Sequence, residues 1–213
     1  MAVITEIKRR SPSKGDLFPG LDPARLAGQY ERGGASCLSV LTDEEFFGGS
    51  VADLQAARGA VSLPVLRKDF TVHRHDVLDA RVMGADCVLL IAAALDDAEL
   101  VELHAVALDV GLDVLVEIHD EAELERALAV GATVIGVNQR DLVTFEVDTE
   151  RAVRMAPLMP AGVVRVAESG VRDAADVRTL GEAGFHAVLV GETLVTHGDP
   201  ERGVAELRAG FTG

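Results

Sequence analysis

Two stretches set a lysine beside an acid at the end of an apolar run: Ile4 to Lys8 (ITEIK), with Glu6 and Lys8 two residues apart, and Val65 to Asp69 (VLRKD), with Lys68 next to Asp69. Four more runs finish in ionisable or amide side chains, in DVLVEIHDE, GVNQRDL, RVAESGV and LVGETL. A lysine facing a carboxylate suits proton transfer on a carbonyl compound, which needs an acid to protonate oxygen and a base to remove a proton. Crowded cations in a partly dry setting lower a lysine's pKa, and burial raises that of a glutamate. A lysine could equally form a Schiff base, and the residue types leave both chemistries open. The bland alternative for the first stretch is a fraying strand whose Glu6 and Lys8 form a solvated pair.

The strings ESGV and GET add a different chemistry. Each joins a Gly to a small or hydroxyl side chain after an apolar run, where backbone N–H groups at a helix start could hold an anion such as phosphate. Either string alone is a weak signal. Two in consecutive units are more specific.

The elements that must position these residues alternate along the whole chain. Eight short β-rich runs (VITEIK, CLSVL, VLRK, CVLLI, DVLVE, TVIGV, VVRVAE and AVLVG) are separated by segments of helical period over 23–32, 51–60, 72–83, 96–110, 121–130, 149–155, 173–183 and 200–208. Asp22, Ser50, Asp120 and Asp199 supply helix-start signals, and ERGGAS, VMGADC, DVGLDV, AVGATV and EAGFHA each put a Gly between a helix and the next strand. Strands joined by helices run parallel, so the repeat gives an open doubly wound sheet or a closed barrel. Eight near-equal units favour a (β/α)8 TIM barrel of α/β class, with residues 1–213 as a single catalytic domain. Active-site residues of such a barrel stand at the C-terminal ends of the strands. Residues two apart on a strand share a face, which places Glu6 and Lys8 with Ile4, and Glu117 with Leu115 and Asp113.

Composition narrows the partners. Thirty-five acidic against twenty basic residues give a formal charge of -15, a field that repels nucleic acid and anionic membranes, so an anionic ligand needs a local pocket. Neither a signal peptide nor a membrane-length apolar run is evident, which leads us to expect a cytoplasmic protein. Cys37 and Cys87 read as buried core thiols of a reducing compartment, and the six histidines as scattered residues without metal spacing. Oligomeric state is open between a monomer and a homodimer.

EIKRRSPSKG, VLTDEEFFGGS, PVLRKDF, LVEIHDEAEL, GVNQRDL, AESGV and LVGETL, in this order and spacing, closely resemble the indole-3-glycerol phosphate synthase family of tryptophan biosynthesis over essentially the whole chain. The resemblance implies a lyase that acts on a small phosphorylated molecule, 1-(2-carboxyphenylamino)-1-deoxyribulose 5-phosphate, cyclising it with loss of carbon dioxide and water to indole-3-glycerol phosphate. No metal or organic cofactor is implied. By motif match Lys68 would be the general acid of cyclisation, Glu117 a base in dehydration and Glu6 a second catalytic carboxylate. Lys8 would hold a substrate anion or act as the other acid, and the division of steps between the lysines is open. Asn138 and Arg140 would position substrate and Glu168 would order the cluster. Ser11, Ser169 and Gly170, with the backbone of Gly191 and Glu192, would surround the phosphate, while Phe47 and Phe70 would pack the anthranilate ring.

Gln139, Thr193 and Thr5 depart from the residues common in the family, where Asn, Ser and Ala are usual. Only Met1 and Ala2 precede the first strand, whereas family members carry a helical extension there that helps cover the site; a mouth without it is expected to be wetter and activity lower. Two alternatives stand beside this expectation. A phosphoribosylanthranilate isomerase would need a Cys and Asp acid and base pair at strand ends. A weakly active or non-catalytic phosphate-binding barrel paralogue would keep the phosphate ligands and lose the acid and base.

Overall fold

Each strand run is too short and apolar to stand alone, and its alternation sends one set of side chains inward and the other under a helix. In the computed structural model, which describes residues 1–211, β1 (Ala2–Ile7), β2 (Cys37–Leu41), β3 (Val65–Lys68), β4 (Cys87–Ile91), β5 (Asp113–Ile118), β6 (Val134–Asn138), β7 (Val164–Glu168) and β8 (Ala187–Val190) close into one parallel barrel. They follow one another around it in chain order, and β1 closes the ring against β8 in the register Ala2 to Ala187 and Ile4 to Leu189. Residues Thr212 and Gly213 of the expected domain lie outside the described residues.

Leu66, Leu89, Leu115, Val166 and Leu189 fill the inside of the ring below the mouth. Alternate residues such as Val3, Leu38, Val88 and Ile135 point out and are buried under the helices. Each such side chain stabilises the fold by about 1.5–3 kcal/mol relative to exposure. The interior is therefore a packed plug that leaves space only at its polar upper end.

The helices are α1 (Pro23–Gly33), α2 (Val51–Ala60), α3 (Arg74–Met83), α4 (Asp97–Asp109), α5 (Glu121–Ala129), α6 (Arg151–Met155), α7 (Ala174–Glu182), α8 (Glu192–Thr196) and α9 (Pro200–Ala209). Asp22, Ser50, Asp120 and Asp199 each accept a backbone N–H three residues on, as their spacing predicts. Gly34 and Gly84, with φ of 91° and 99°, close α1 and α3 in the left-handed conformation.

Two helix starts lie two residues later than the sequence expectation. The third helix starts at Arg74 rather than 72, because His73 caps it and the Asp76 carboxylate reaches back to the backbone N–H of His73. The sixth starts at Arg151 rather than 149 and runs into a 3-10 turn, Ala156–Leu158, at Pro157. A two-residue hairpin, Arg10–Ser11 with Gly15–Asp16, and the short α8 were not expected, since neither is long enough to show a period. No helix among the described residues is long and apolar enough to cross a membrane.

Candidate active site

Strand alternation lifts Glu6, Lys68, Glu117, Asn138 and Glu168 into the mouth of the barrel. They lie against one cavity of about 820 Å³, which all fourteen residues singled out from the sequence line. At its floor the Lys68 Nζ stands 3.3 Å from Glu117 Oε2 and 3.9 Å from Glu168 Oε2. Beside it, Lys8 Nζ is 2.5 Å from Glu6 Oε1. Lys8 and Glu6 therefore form a pair, but inside the cavity wall with Glu6 only 5 % exposed, and not in bulk solvent.

These neighbours push the ionisations apart. Burial acts to lower the pKa of Lys68, yet the fields of Glu117, Glu168 and Glu6 outweigh it and hold the ammonium above its ordinary range. Burial acts to raise Glu117, but Lys68, the Asn138 amide and His119 together hold it below the usual carboxylate range. Glu168 goes the other way: burial, then the charge of Glu117, lift it well above normal. The cluster thus sets a lysine held charged and a carboxylate held charged beside a second carboxyl that takes up a proton more readily.

Asn138 links the parts. Its Nδ2 donates to Glu117 Oε1 at 3.1 Å, while its Oδ1 accepts from Ser169 Oγ at 2.8 Å and from the Arg140 backbone N–H. Gln139 Nε2 donates to the Ser169 carbonyl, and Thr193 Oγ1 to the Val171 carbonyl, each at 2.8 Å, so two of the departing residues anchor the loop after β7.

Several positioning groups escaped the sequence. A Cβ on Gly136 would collide with the Glu168 carboxyl, and one on Gly191 would collide with Glu6. Both glycines clear space for carboxylates on neighbouring strands, a need that only the barrel's closure reveals. Arg67 turns away from the cavity, where it donates to Asp69 at 2.9 Å, Thr42 at 3.1 Å and the Asp76 carbonyl at 2.9 Å. Of the three charges in RKD, only Lys68 is left facing the floor. Arg9 bonds Asp53 and the carbonyls of Gly48 and Leu21, fastening the loop after β1 to the start of α2.

At the other side of the mouth, Ser11, Gly170, Gly191 and Glu192 gather with Lys14 and Arg140. Only Gly191 caps a helix, α8; Ser169 and Gly170 take left-handed turns, φ 66° and 75°, ahead of α7 and away from its first turn. The Glu192 carboxylate lies 3.7 Å from Lys14 Nζ and 3.9 Å from Arg140 Nη2. Phe47 and Phe70 face each other across the rim at 6.4 Å between ring centres, with Phe70 44 % exposed.

Both cysteines are half-buried rather than core residues, because they open β2 and β4 at the end of the barrel opposite the mouth. Burial pushes the Cys37 thiol up to about 12. His119 corrects the expectation of uninvolved histidines: its Nε2 lies 3.7 Å from Glu117 Oε1. Its position two residues after Glu117, by the same alternation that pairs Glu6 with Lys8, was the available signal.

A closed eight-stranded barrel with a lysine among carboxylates at its C-terminal mouth defines a (β/α)8-barrel enzyme of the acid–base kind. The sequence model of indole-3-glycerol phosphate synthase matches residues 1–207. A protein named indole-3-glycerol phosphate synthase from Parafrankia sp. (strain EAN1pec) is 55 % identical over 97 % of this chain and 77 % of its own length. One of the same name from Mycobacteroides abscessus is 53 % identical over 97 % and 76 %. In architecture the chain is similar to 3-hexulose-6-phosphate synthase, with a TM-score of 0.76 at 18 % identity and full coverage of both chains. It is also similar to thiamine phosphate pyrophosphorylase from Pyrococcus furiosus, with a TM-score of 0.71 at 14 % identity, over 98 % of this chain and 94 % of that one. These two likenesses concern the fold. The chain belongs to the indole-3-glycerol phosphate synthase family, the carboxy-lyases of tryptophan biosynthesis.

Proposed function

We propose that this chain closes the indole ring of 1-(2-carboxyphenylamino)-1-deoxyribulose 5-phosphate, releasing carbon dioxide and water, with Lys68 and Glu117 as the central acid and base. The observation that carries these roles is the Lys68 ammonium held 3.3 Å from Glu117 and 3.9 Å from Glu168 at the cavity floor. An ammonium kept charged is poor at attacking a carbonyl and well suited to protonating one, which favours the acid role over a Schiff base. Lys68 protonates the ketone oxygen as the aromatic carbon bonds to the ketone carbon. Loss of carbon dioxide returns the electron pair to the ring; the hydroxyl so formed then leaves as water on taking a proton from Lys8, while Glu117 takes a proton from the neighbouring CH2 carbon, whose C–H electrons form the ring double bond.

Glu168, whose carboxyl is raised by burial and by the charge of Glu117, takes up a proton more readily than Glu117 and so limits repulsion within the cluster. Lys8, braced by Glu6, faces the substrate carboxylate or phosphate and is the second acid available for dehydration. Ser11, Ser169, Gly170, Gly191 and Glu192 surround the phosphate, Arg140 and Asn138 orient the sugar chain, and Phe47 and Phe70 take the anthranilate ring. Residues 1–213 act as one catalytic domain in the cytoplasm, as a monomer or a homodimer, without a nucleic-acid or membrane partner; the charge of -15 supports this. The test is an assay of the purified chain with this substrate, followed by indole fluorescence. Product formation supports the assignment; no product from folded chain at high enzyme concentration leaves a non-catalytic barrel.

A further inference from the structure

His119 has no part in these steps, yet its ring lies between two carboxylates. Nδ1 is 3.1 Å from Glu123 Oε2, and the same oxygen accepts the His119 backbone N–H at 2.7 Å, so the first turn of α5 fixes both ring and backbone. On the other side Nε2 is buried, has no hydrogen-bond partner, and lies 3.7 Å from Glu117 Oε1. An imidazole can donate to a carboxylate at each nitrogen only as the imidazolium.

We propose that His119 is a positioning residue for Glu117, a second cation that keeps this carboxylate charged and aimed while Lys68 gives up its proton. The inference rests on the acid and base roles of Lys68 and Glu117. Once Lys68 has passed its proton to substrate, Glu117, only 1 % exposed, keeps the neutral Asn138 amide as its hydrogen-bond donor. A buried carboxylate without a cation is costly and takes up a proton more readily. The charged or titratable groups facing it are Lys68 from β3, Glu168 from β7 and, around Lys68, Glu6 from β1. Lys8 is committed to Glu6. His119 approaches Glu117 on Oε1, the oxygen that Lys68 does not hold, and a ring movement of under about 1 Å would bring it to hydrogen-bond distance. Glu123 is the anchor that keeps the ring pointing there.

The test compares His119→Asn, Glu123→Gln and the double variant by kcat, KM and the pH profile of kcat. Removing a neighbouring cation raises the pKa of a carboxylate base, so the acidic limb of the profile moves up by about one pH unit in His119→Asn. Turnover falls about tenfold and KM changes less than about twofold, as expected for an effect on the reacting base. Glu123→Gln moves the limb the same way by less, and the double variant goes no further than His119→Asn. Glu123→Gln gives its own answer if His119→Asn does not fold. An acidic limb unmoved in the folded variants, whatever happens to stability or KM, overturns the proposal. Glu117→Gln separates the two levels: near-normal turnover refutes Glu117 as the base, whereas lost turnover together with an unmoved limb refutes only the role of His119.

Discussion

At the scale of single residues, the site works by setting neighbouring ionisations against one another. Glu117 and Glu168 are the same residue type, each 1 % exposed, yet their pKa values are shifted in opposite directions. The difference lies in partners: Glu117 takes the Lys68 ammonium and the Asn138 amide, while neither Glu168 oxygen has a hydrogen-bond partner. A carboxyl whose folded pKa is raised contributes stability below its unfolded value, near 4.5, and loses it as pH rises through the folded value. Glu168→Gln removes that loss. Its melting temperature relative to the parent chain should therefore rise as pH goes up from about 4.5 and level off once pH passes the folded value, as calorimetry would detect; a constant difference would contradict a raised Glu168. Gly136→Ala tests the same carboxyl from across the strand. The added methyl must displace the end of a flexible side chain, so we expect a stability loss near the lower end of the overpacking range of about 1–3 kcal/mol. Turnover should drop about tenfold, because the displaced carboxyl faces Lys68 and Glu117.

Strands and helices were legible in the sequence because each carries its own local signal. β2, β3 and β4 match their expected runs end for end: the apolar runs of β2 and β3 stop at Thr42 and Asp69, and β4 stops where the 3-10 turn Ala92–Ala94 begins. The side on which a charge falls was legible for the same reason, as with Glu6 beside Lys8. What a charge meets across the barrel was not. Arg67 looked like part of the rim in VLRKDF, but its bonds to Asp69, Thr42 and the Asp76 carbonyl tie the end of β3 to the start of α3. Gly136 was not singled out, and Gly191 was read only for its backbone beside a phosphate; the space each leaves for Glu168 or Glu6 shows only when neighbouring strands pair. His119 was read only for metal spacing, which hid its place after Glu117. Arg67→Met would leave Asp69, its side chain 12 % exposed, without its cation, and should cost about 3 kcal/mol in urea unfolding. If the variant unfolds like the parent chain, Arg67 does not hold the loop.

For the whole molecule, barrel closure gathers residues from Glu6 to Glu192 around one cavity, so no local segment contains the site. The same closure separates the cysteines, at the far end, from any acid–base role in the mouth. The ordered set of strand-end motifs made the family legible, whereas the charge states depend on distances set only when the ring closes. The most direct measurement of the central claim is the turnover and substrate dissociation constant of Lys68→Ala in the folded chain. With Lys68 as the acid of ring closure, turnover falls by at least about a hundredfold, while the dissociation constant stays within about threefold, because the residues proposed to hold the phosphate and the ring lie elsewhere in the cavity. Unchanged turnover would contradict the role given to Lys68.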